Sequence, residues 1–288
     1  MNIEIKGHSG CNIEIIENED NLYIKKSTYD EKYIDRLIEQ ATKQANDYEW
    51  VTKNIHVPKI HDVYKSKTSA YMVMDYIYAK SFVDYFEYAS IADIDNFINS
   101  FIEYIENELS RSNETNIDKN IFINKFNSVK NNCLKNTLLS DNKFVTEILN
   151  RCEKIFNNIE SFKIPIGICH GDLTFSNILF TNNGYYFIDY LDSFIETPLQ
   201  DIVKLRQDTT YFWSTLMYNG NKYDSVRLHM IFEYIDNKIN SYFSKYEFYN
   251  NYYDILQIMN ILRILPYVNK EQVRDFVINI LLTLTDGK

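Results

Sequence analysis

His170-Gly171-Asp172-Leu173-Thr174-Phe175-Ser176-Asn177, followed by Asn182-Asn183-Gly184 and then Phe187-Ile188-Asp189-Tyr190, decides how this 288-residue chain is read. Asn183 and Gly184 both tolerate positive φ and suit a two-residue type I′ turn between strands Ile178 to Phe180 and Tyr185 to Ile188. Pairing outward from that turn sets Phe180 opposite Phe187 and Ile178 opposite Asp189, and leaves Asn177 within one residue of Asp189 across the ladder. Paired strands lie about 4.8 Å apart, so oxygens of Asn177 and Asp189 can reach one small hard cation. Asp172, in the loop before the hairpin, offers a carboxylate near that cation, where a substrate hydroxyl could be oriented and deprotonated.

The order is a His, any residue, an Asp, four residues and an Asn, then an Asp after two apolar residues, met here by His170, Asp172, Asn177 and Asp189. It resembles the catalytic and metal-binding loops of the aminoglycoside phosphotransferase and choline kinase superfamily, relatives of the eukaryotic protein kinases. The resemblance implies an α+β, protein-kinase-like bilobal fold. A small antiparallel-sheet N-lobe with one helix would span 1–76, and a larger, mainly helical C-lobe 77–288. It further implies transfer of the γ-phosphoryl group of ATP, or another NTP, to a hydroxyl of a small molecule such as an aminoglycoside, choline, ethanolamine or a sugar. Asp172 would be the base, His170 would fix the loop by hydrogen bonding, and Asn177 and Asp189 would hold Mg²⁺. A kinase-like module that binds nucleotide without transferring phosphate is the alternative. A protein kinase is disfavoured, because no activation segment fits between Asp189 and Asp201 and Tyr190 stands where those enzymes place Phe and Gly.

Upstream, Ile3 to Ile5, Asn12 to Ile16 and Leu22 to Lys25 read as short strands, with Gly7, Ser9 and Gly10 in the first turn. Small turn residues let backbone amides approach phosphates closely, and a plain hairpin turn would read the same. Leu22-Tyr23-Ile24-Lys25 resembles the family's apolar run closing on a phosphate-binding lysine, which makes Lys25 the expected residue and Lys26 its rival. A helix follows over about 30–46, with Ile34, Leu37, Ile38 and Ala41 on one face. In the family a helix glutamate holds the lysine; Glu39 has the right separation, and Gln40 or Glu31 could take the inward position instead. His61 to Tyr64 and Ala70 to Asp75 read as a strand pair, and Tyr71 to Ile77 matches the strand entering the hinge. There backbone groups would hold adenine between flat or apolar side chains such as Met74 and Tyr76.

From Ser81 to Phe162 the periodicity is almost wholly helical, with a polar break at Arg111 to Asn116 and then an apolar strand Ile164 to Ile168. Asp201, after Thr197-Pro198, resembles the family aspartate that braces the catalytic loop, a role compatible with simple capping. The remaining helices are crowded with aromatics, Tyr211 to Trp213, Tyr218, Tyr242, Phe243, Phe248, Tyr249, Tyr252 and Tyr253, which could cage a quaternary ammonium, stack on a sugar or fill the core. Lys204, Arg206, Asp208 and Arg263 are charged positions in packable helices, readable as acceptor contacts or as solvated faces.

Composition bounds the setting. A chain 45% hydrophobic and 15% aromatic can bury a substantial core. No apolar run approaches a membrane span, and Met1 to Gly10 lacks the apolar stretch of a signal peptide, which together point to a cytoplasmic protein. The net charge of −10 disfavours nucleic acid or an anionic membrane as partner. It is compatible with a cationic acceptor or with a merely solubilising excess. Cys11, Cys133, Cys152 and Cys169 lack metal or redox spacing and fit reduced, buried thiols, Cys169 included despite its neighbour His170.

Overall fold

In the computed structural model the described residues are 11–18, 21–50, 52–160 and 162–287, together with the backbone of 3–6. Strands β1 (Ile3–Lys6), β2 (Asn12–Asn18) and β3 (Asn21–Thr28), helix α1 (Glu31–Tyr48), and strands β4 (Ile55–His56), β5 (Ile60–Lys65) and β6 (Ala70–Asp75) come first. All but β4 of these strands form one antiparallel sheet in the order β1-β2-β3-β6-β5. Alternation along the strands places Ala70, Met72 and Met74 on the face that α1 covers, and Ile34, Leu37 and Ala41 close a small core there. Asp30 caps α1 by accepting from the Lys32 amide, which is why the helix begins where the sequence leaves the strand.

The helical body follows: α2 (Phe82–Tyr88), α3 (Ile91–Ser110), β7 (Asn113–Asn116), α4 (Asn120–Lys135), α5 (Lys143–Asn157), β8 (Lys163–Ile166), β9 (Ile178–Thr181), β10 (Gly184–Phe187), α6 (Pro198–Tyr211), α7 (Trp213–Met217), α8 (Ser225–Phe243), α9 (Glu247–Leu262) and α10 (Glu271–Leu284). These elements share a second, much larger apolar cluster centred on Phe86, Phe97, Phe175, Phe180 and Phe232. Ile55 and Val57 pack with it, although they precede the expected lobe boundary at 76.

The polar break at Arg111 to Asn116 in the otherwise helical stretch holds a short strand, Asn113–Asn116, paired with Lys163–Ile166. One local expectation is corrected. The hairpin turn lies one residue earlier than expected: Thr181 pairs with Gly184, Phe180 with Tyr185 and Ile178 with Phe187. The Thr181 hydroxyl accepts from the Asn183 amide and donates to the Gly184 carbonyl, so a side chain supports the turn and Asn183 needs no positive φ. Gly184 has φ +131°, and a Cβ there would fall 2.4 Å from the Asn54 carbonyl beside β4. Relative register moves by two residues, an even slip that keeps Ile178, Phe180, Tyr185 and Phe187 on the buried face. Asn177 now pairs with Ile188 through its carbonyl at 3.0 Å, on the other side of Asp189, so the two site residues stay one position apart.

Candidate active site

β3 carries two adjacent lysines, and alternation sends them to opposite faces. Lys25 points outward, with its ammonium 4.9 Å from the Tyr71 ring centroid. Lys26 is 1% exposed on the α1 side, where its Nζ donates to Asp189 Oδ1 at 2.9 Å and to Gln40 Oε1 at 3.2 Å. The lysine in the cleft is therefore Lys26, not the expected Lys25. Helix phase decides its partner in the same way. Gln40 lies on the buried stripe with Leu37 and Ala41, whereas Glu39, about 100° around the helix, is exposed. Glu39 shares a hydrogen bond with Asp192, and that contact raises its pKa.

The catalytic-loop segment is held from below by one face of α6. Thr197 caps this helix and Pro198 occupies its first turn. Positions 201, 204 and 208 then recur at i, i+3 and i+7 on one side. Asp201 accepts from the amides of His170 (2.5 Å) and Gly171 (2.7 Å), and Asp208 accepts from the Phe175 amide (2.5 Å) and from the amide and hydroxyl of Ser214. Between them Lys204 forms an ion pair with Asp172 at 2.9 Å. Burial raises both carboxylic acids, Asp201 to about 7 and Asp208 to about 6, against the lowering effect of these backbone donors. Gly171 at φ +86° admits no side chain, since a Cβ would meet the Leu191 carbonyl at 2.1 Å.

His170 is fully buried and its ring bonds fix one tautomer. Nε2 donates to the Ile188 carbonyl at 2.7 Å, and Nδ1 accepts from the Asp172 amide at 3.2 Å. Burial lowers its pKa from 6.5 to about 4. Between pH 6.5 and 4 the unfolded chain therefore binds a proton that the folded chain refuses, and this contribution, about 3 kcal/mol, is present above pH 6.5 and is lost as pH falls towards 4. His170→Asn should remove it. The difference in unfolding free energy between wild type and variant, measured by denaturant titration at pH 7 and pH 4.5, should narrow at the lower pH.

Asn177 Nδ2 donates to the backbone carbonyl (2.8 Å) and carboxylate (3.1 Å) of Asp172, which leaves its Oδ1 as the ligand-type atom. Asp189, two residues past the end of β10, has φ 62°, a left-handed conformation that short polar side chains tolerate best, and lines the same cleft. This cleft of 920 Å³ is bounded by Lys26, Gln40, Asp172, Asn177, Asp189 and Lys204 on the catalytic side. Its far wall comes from α4, α7 and the segment after α9. Met74 faces the small core, where its sulfur receives Gln44 Nε2, and neither it nor Tyr76 bounds this cleft. Gly7, Ser9 and Gly10 lie outside the described residues.

The donor set suits a nucleotide and a hard cation in two respects. Gln40 Nε2 is buried without a partner beside Lys26, an arrangement that anionic oxygens would satisfy. Among the described residues no group of three or more His, Cys, Asp or Glu is placed to hold a metal. One carboxylate and one amide oxygen suffice for a magnesium ion that takes its other oxygens from phosphates and water.

Of the charged positions flagged in the late helices, Lys204 and Arg263 reach the cleft, Asp208 braces the loop, and Arg206 is turned away to Asp236 (2.8 Å). Of the late-helix aromatics, Tyr253 stacks under the Arg206 guanidinium at 4.4 Å and the Tyr249 hydroxyl accepts from it, while Trp213 and Tyr218 line the cleft. Cys169 is buried, donates to Glu196, and has its thiol pushed well up by burial, which rules against a thiolate nucleophile. All four cysteines are buried and none is joined in a disulfide. Among the described residues no helix is long and apolar enough to cross a membrane.

Comparison with known proteins agrees with this fold. The model of the phosphotransferase enzyme family APH matches residues 32–221. No curated protein sequence matches the chain. Among solved structures, a thermostable variant of aminoglycoside phosphotransferase APH(4)-Ia with ADP and hygromycin B superposes with a TM-score of 0.66 at 9% identity, covering 100% of this chain and 95% of the other. Amicoumacin kinase hAmiN, in complex with AMP-PNP and Ca²⁺, gives 0.62 at 11% identity, with 100% and 88% covered. A choline/ethanolamine kinase family protein from Mesorhizobium loti gives 0.58 at 13% identity, again with 100% and 88% covered. At these identities the likeness is one of fold, the protein-kinase-like α+β fold with an antiparallel sheet and a mostly helical remainder. With two thirds of its length, including the whole segment from His170 to Tyr190, matched by the family model, the chain belongs to the APH phosphotransferase enzyme family.

Proposed function

We propose that this protein is an ATP- and Mg²⁺-dependent phosphotransferase that moves the γ-phosphoryl group to a hydroxyl of a small molecule. The observation that carries the reading is the convergence of Lys26, Asn177, Asp189 and Asp172 on one cleft, with the loop between them held by α6. Asp172 orients the acceptor hydroxyl and takes its proton as the new P–O bond forms and ADP leaves. Lys204, on the Asp172 carboxylate, keeps it aimed and adds positive charge beside the transferring group. Lys26 neutralises nucleotide phosphates, with Gln40 as an uncharged support where the family has a glutamate. Asp189 and Asn177 hold Mg²⁺, which supplies charge neutralisation on the phosphates. Adenine is assigned to the backbone of the hinge that follows β6, with no role for the Met74 side chain, which faces the small core. Cysteines without disulfides and a nucleotide donor support a cytoplasmic setting.

Metal-dependent ATP consumption in an acceptor screen tests the proposal, since a catalytically silent nucleotide-binding module would bind a nonhydrolysable analogue and turn over nothing. Within that assay Lys26→Ala should lower kcat/KM for ATP by about a hundredfold. Lys25→Ala should stay within about twofold, because Lys25 is half-buried on the opposite face of β3, against Tyr71 and away from the cleft. Equal effects of the two substitutions would reverse the assignment.

A further inference from the structure

The acids of the cleft are already matched. Among the described residues, Asp172 and Asp189 are its only acidic lining residues, and each is paired with its own lysine, Lys204 and Lys26. Three further cations remain on the acceptor side: Arg36 from α1, Lys125 from α4 and Arg263 just after α9. They stand close enough to repel one another. Burial first, then Arg263 and Arg36, lowers the Lys125 pKa, and no carboxylate is among the charges acting on it. Burial, aided by Arg36, also outweighs the pull of Asp172 on Arg263. Arg263 Nη1 is buried without a hydrogen-bond partner, and the guanidinium otherwise rests 5.5 Å from the Phe194 ring centroid. Two like charges half-buried at Lys125 and Arg263, with the exposed Arg36 beside them, are unfavourable unless a ligand neutralises them.

We infer that the acceptor is an anionic, hydroxyl-bearing small molecule of sugar or polyol type, its acidic group held by Lys125 and Arg263 while one hydroxyl reaches Asp172. The inference rests on the phosphotransferase reading for the role of Asp172, but the charge preference is a property of the wall itself. Ser128, Asn132, Asn219 and Asn260 on the same wall supply neutral hydrogen-bonding groups for further hydroxyls. A cationic aminoglycoside or choline finds no free carboxylate on the lining described. The net charge of −10, which left a cationic acceptor open, is carried elsewhere on the molecule.

Calorimetric titration of the full chain with glucose, glucosamine, glucuronate and glucose 6-phosphate tests this, the two acids distinguishing a carboxylate from a phosphate ligand. At least one acid should bind about tenfold tighter than glucose and glucosamine, and Lys125→Gln or Arg263→Gln should remove that advantage. Affinity for a nonhydrolysable ATP analogue should stay within about twofold in both variants, which shows that they are folded. Glucosamine or glucose binding as well as the acids, binding by none of the four, or acids bound equally by wild type and variants would overturn the inference. Loss of the phosphotransferase reading would show separately, as an acid preference without metal-dependent ATP consumption.

Discussion

Asp172→Asn is expected to lower turnover about a thousandfold while leaving affinity for a nonhydrolysable ATP analogue within about twofold. The amide cannot accept the acceptor's proton, yet it has the volume of the carboxylate and keeps an oxygen towards Asn177 Nδ2. The loop should hold its shape, because its braces act on the backbone of His170, Gly171 and Phe175 and not on the Asp172 side chain. The loss should therefore fall on kcat, measured with the best acceptor of the screen, and not on the nucleotide KM. A variant retaining wild-type kcat would remove Asp172 from the role of base.

Asp189→Asn should be more damaging, with Mg²⁺-dependent turnover falling by about ten-thousandfold or below detection. Asparagine tolerates the left-handed φ of 62° at this position, so the substitution tests the charge and not the backbone. The change removes the only carboxylate assigned to the metal and also the counter-charge 2.9 Å from the buried Lys26 ammonium. The two losses act in opposite directions on nucleotide binding. ADP without metal should bind at least as tightly as to wild type, because its phosphates replace the missing charge at Lys26, whereas added Mg²⁺ should no longer strengthen binding. An unchanged Mg²⁺ titration would place the metal elsewhere.

The catalytic hairpin was legible because its determinants are contiguous: His170, Asp172, Asn177 and Asp189 sit within twenty residues, and an even slip in register leaves their juxtaposition intact. What failed was parity. In Tyr23-Ile24-Lys25-Lys26 both Tyr23 and Ile24 suit a buried face, so apolar alternation does not say which lysine turns inward, and only pairing with β6 and cover by α1 decide it. Glu39 and Gln40 raise the same problem on a helix, where the inward stripe runs through Leu37 and Ala41 and takes the neutral neighbour. Asp208 and Lys204 were visible as odd charges in a packable helix, and their spacing from Asp201 was the available signal for a common task. The wall of Arg36, Lys125 and Arg263 joins three segments far apart in sequence, and no local pattern announces it.

The stripe formed by Asp201, Lys204 and Asp208 ties the backbone of the proposed catalytic loop to a helix on the inner side, while the residues proposed to choose an acceptor stand on α4 and beyond α9 across the opening. Chemistry and selectivity thus rest on different pieces of the molecule. Descendants of this sequence can exchange one recognition wall for another by a few surface-directed substitutions and still inherit an intact engine for moving phosphate.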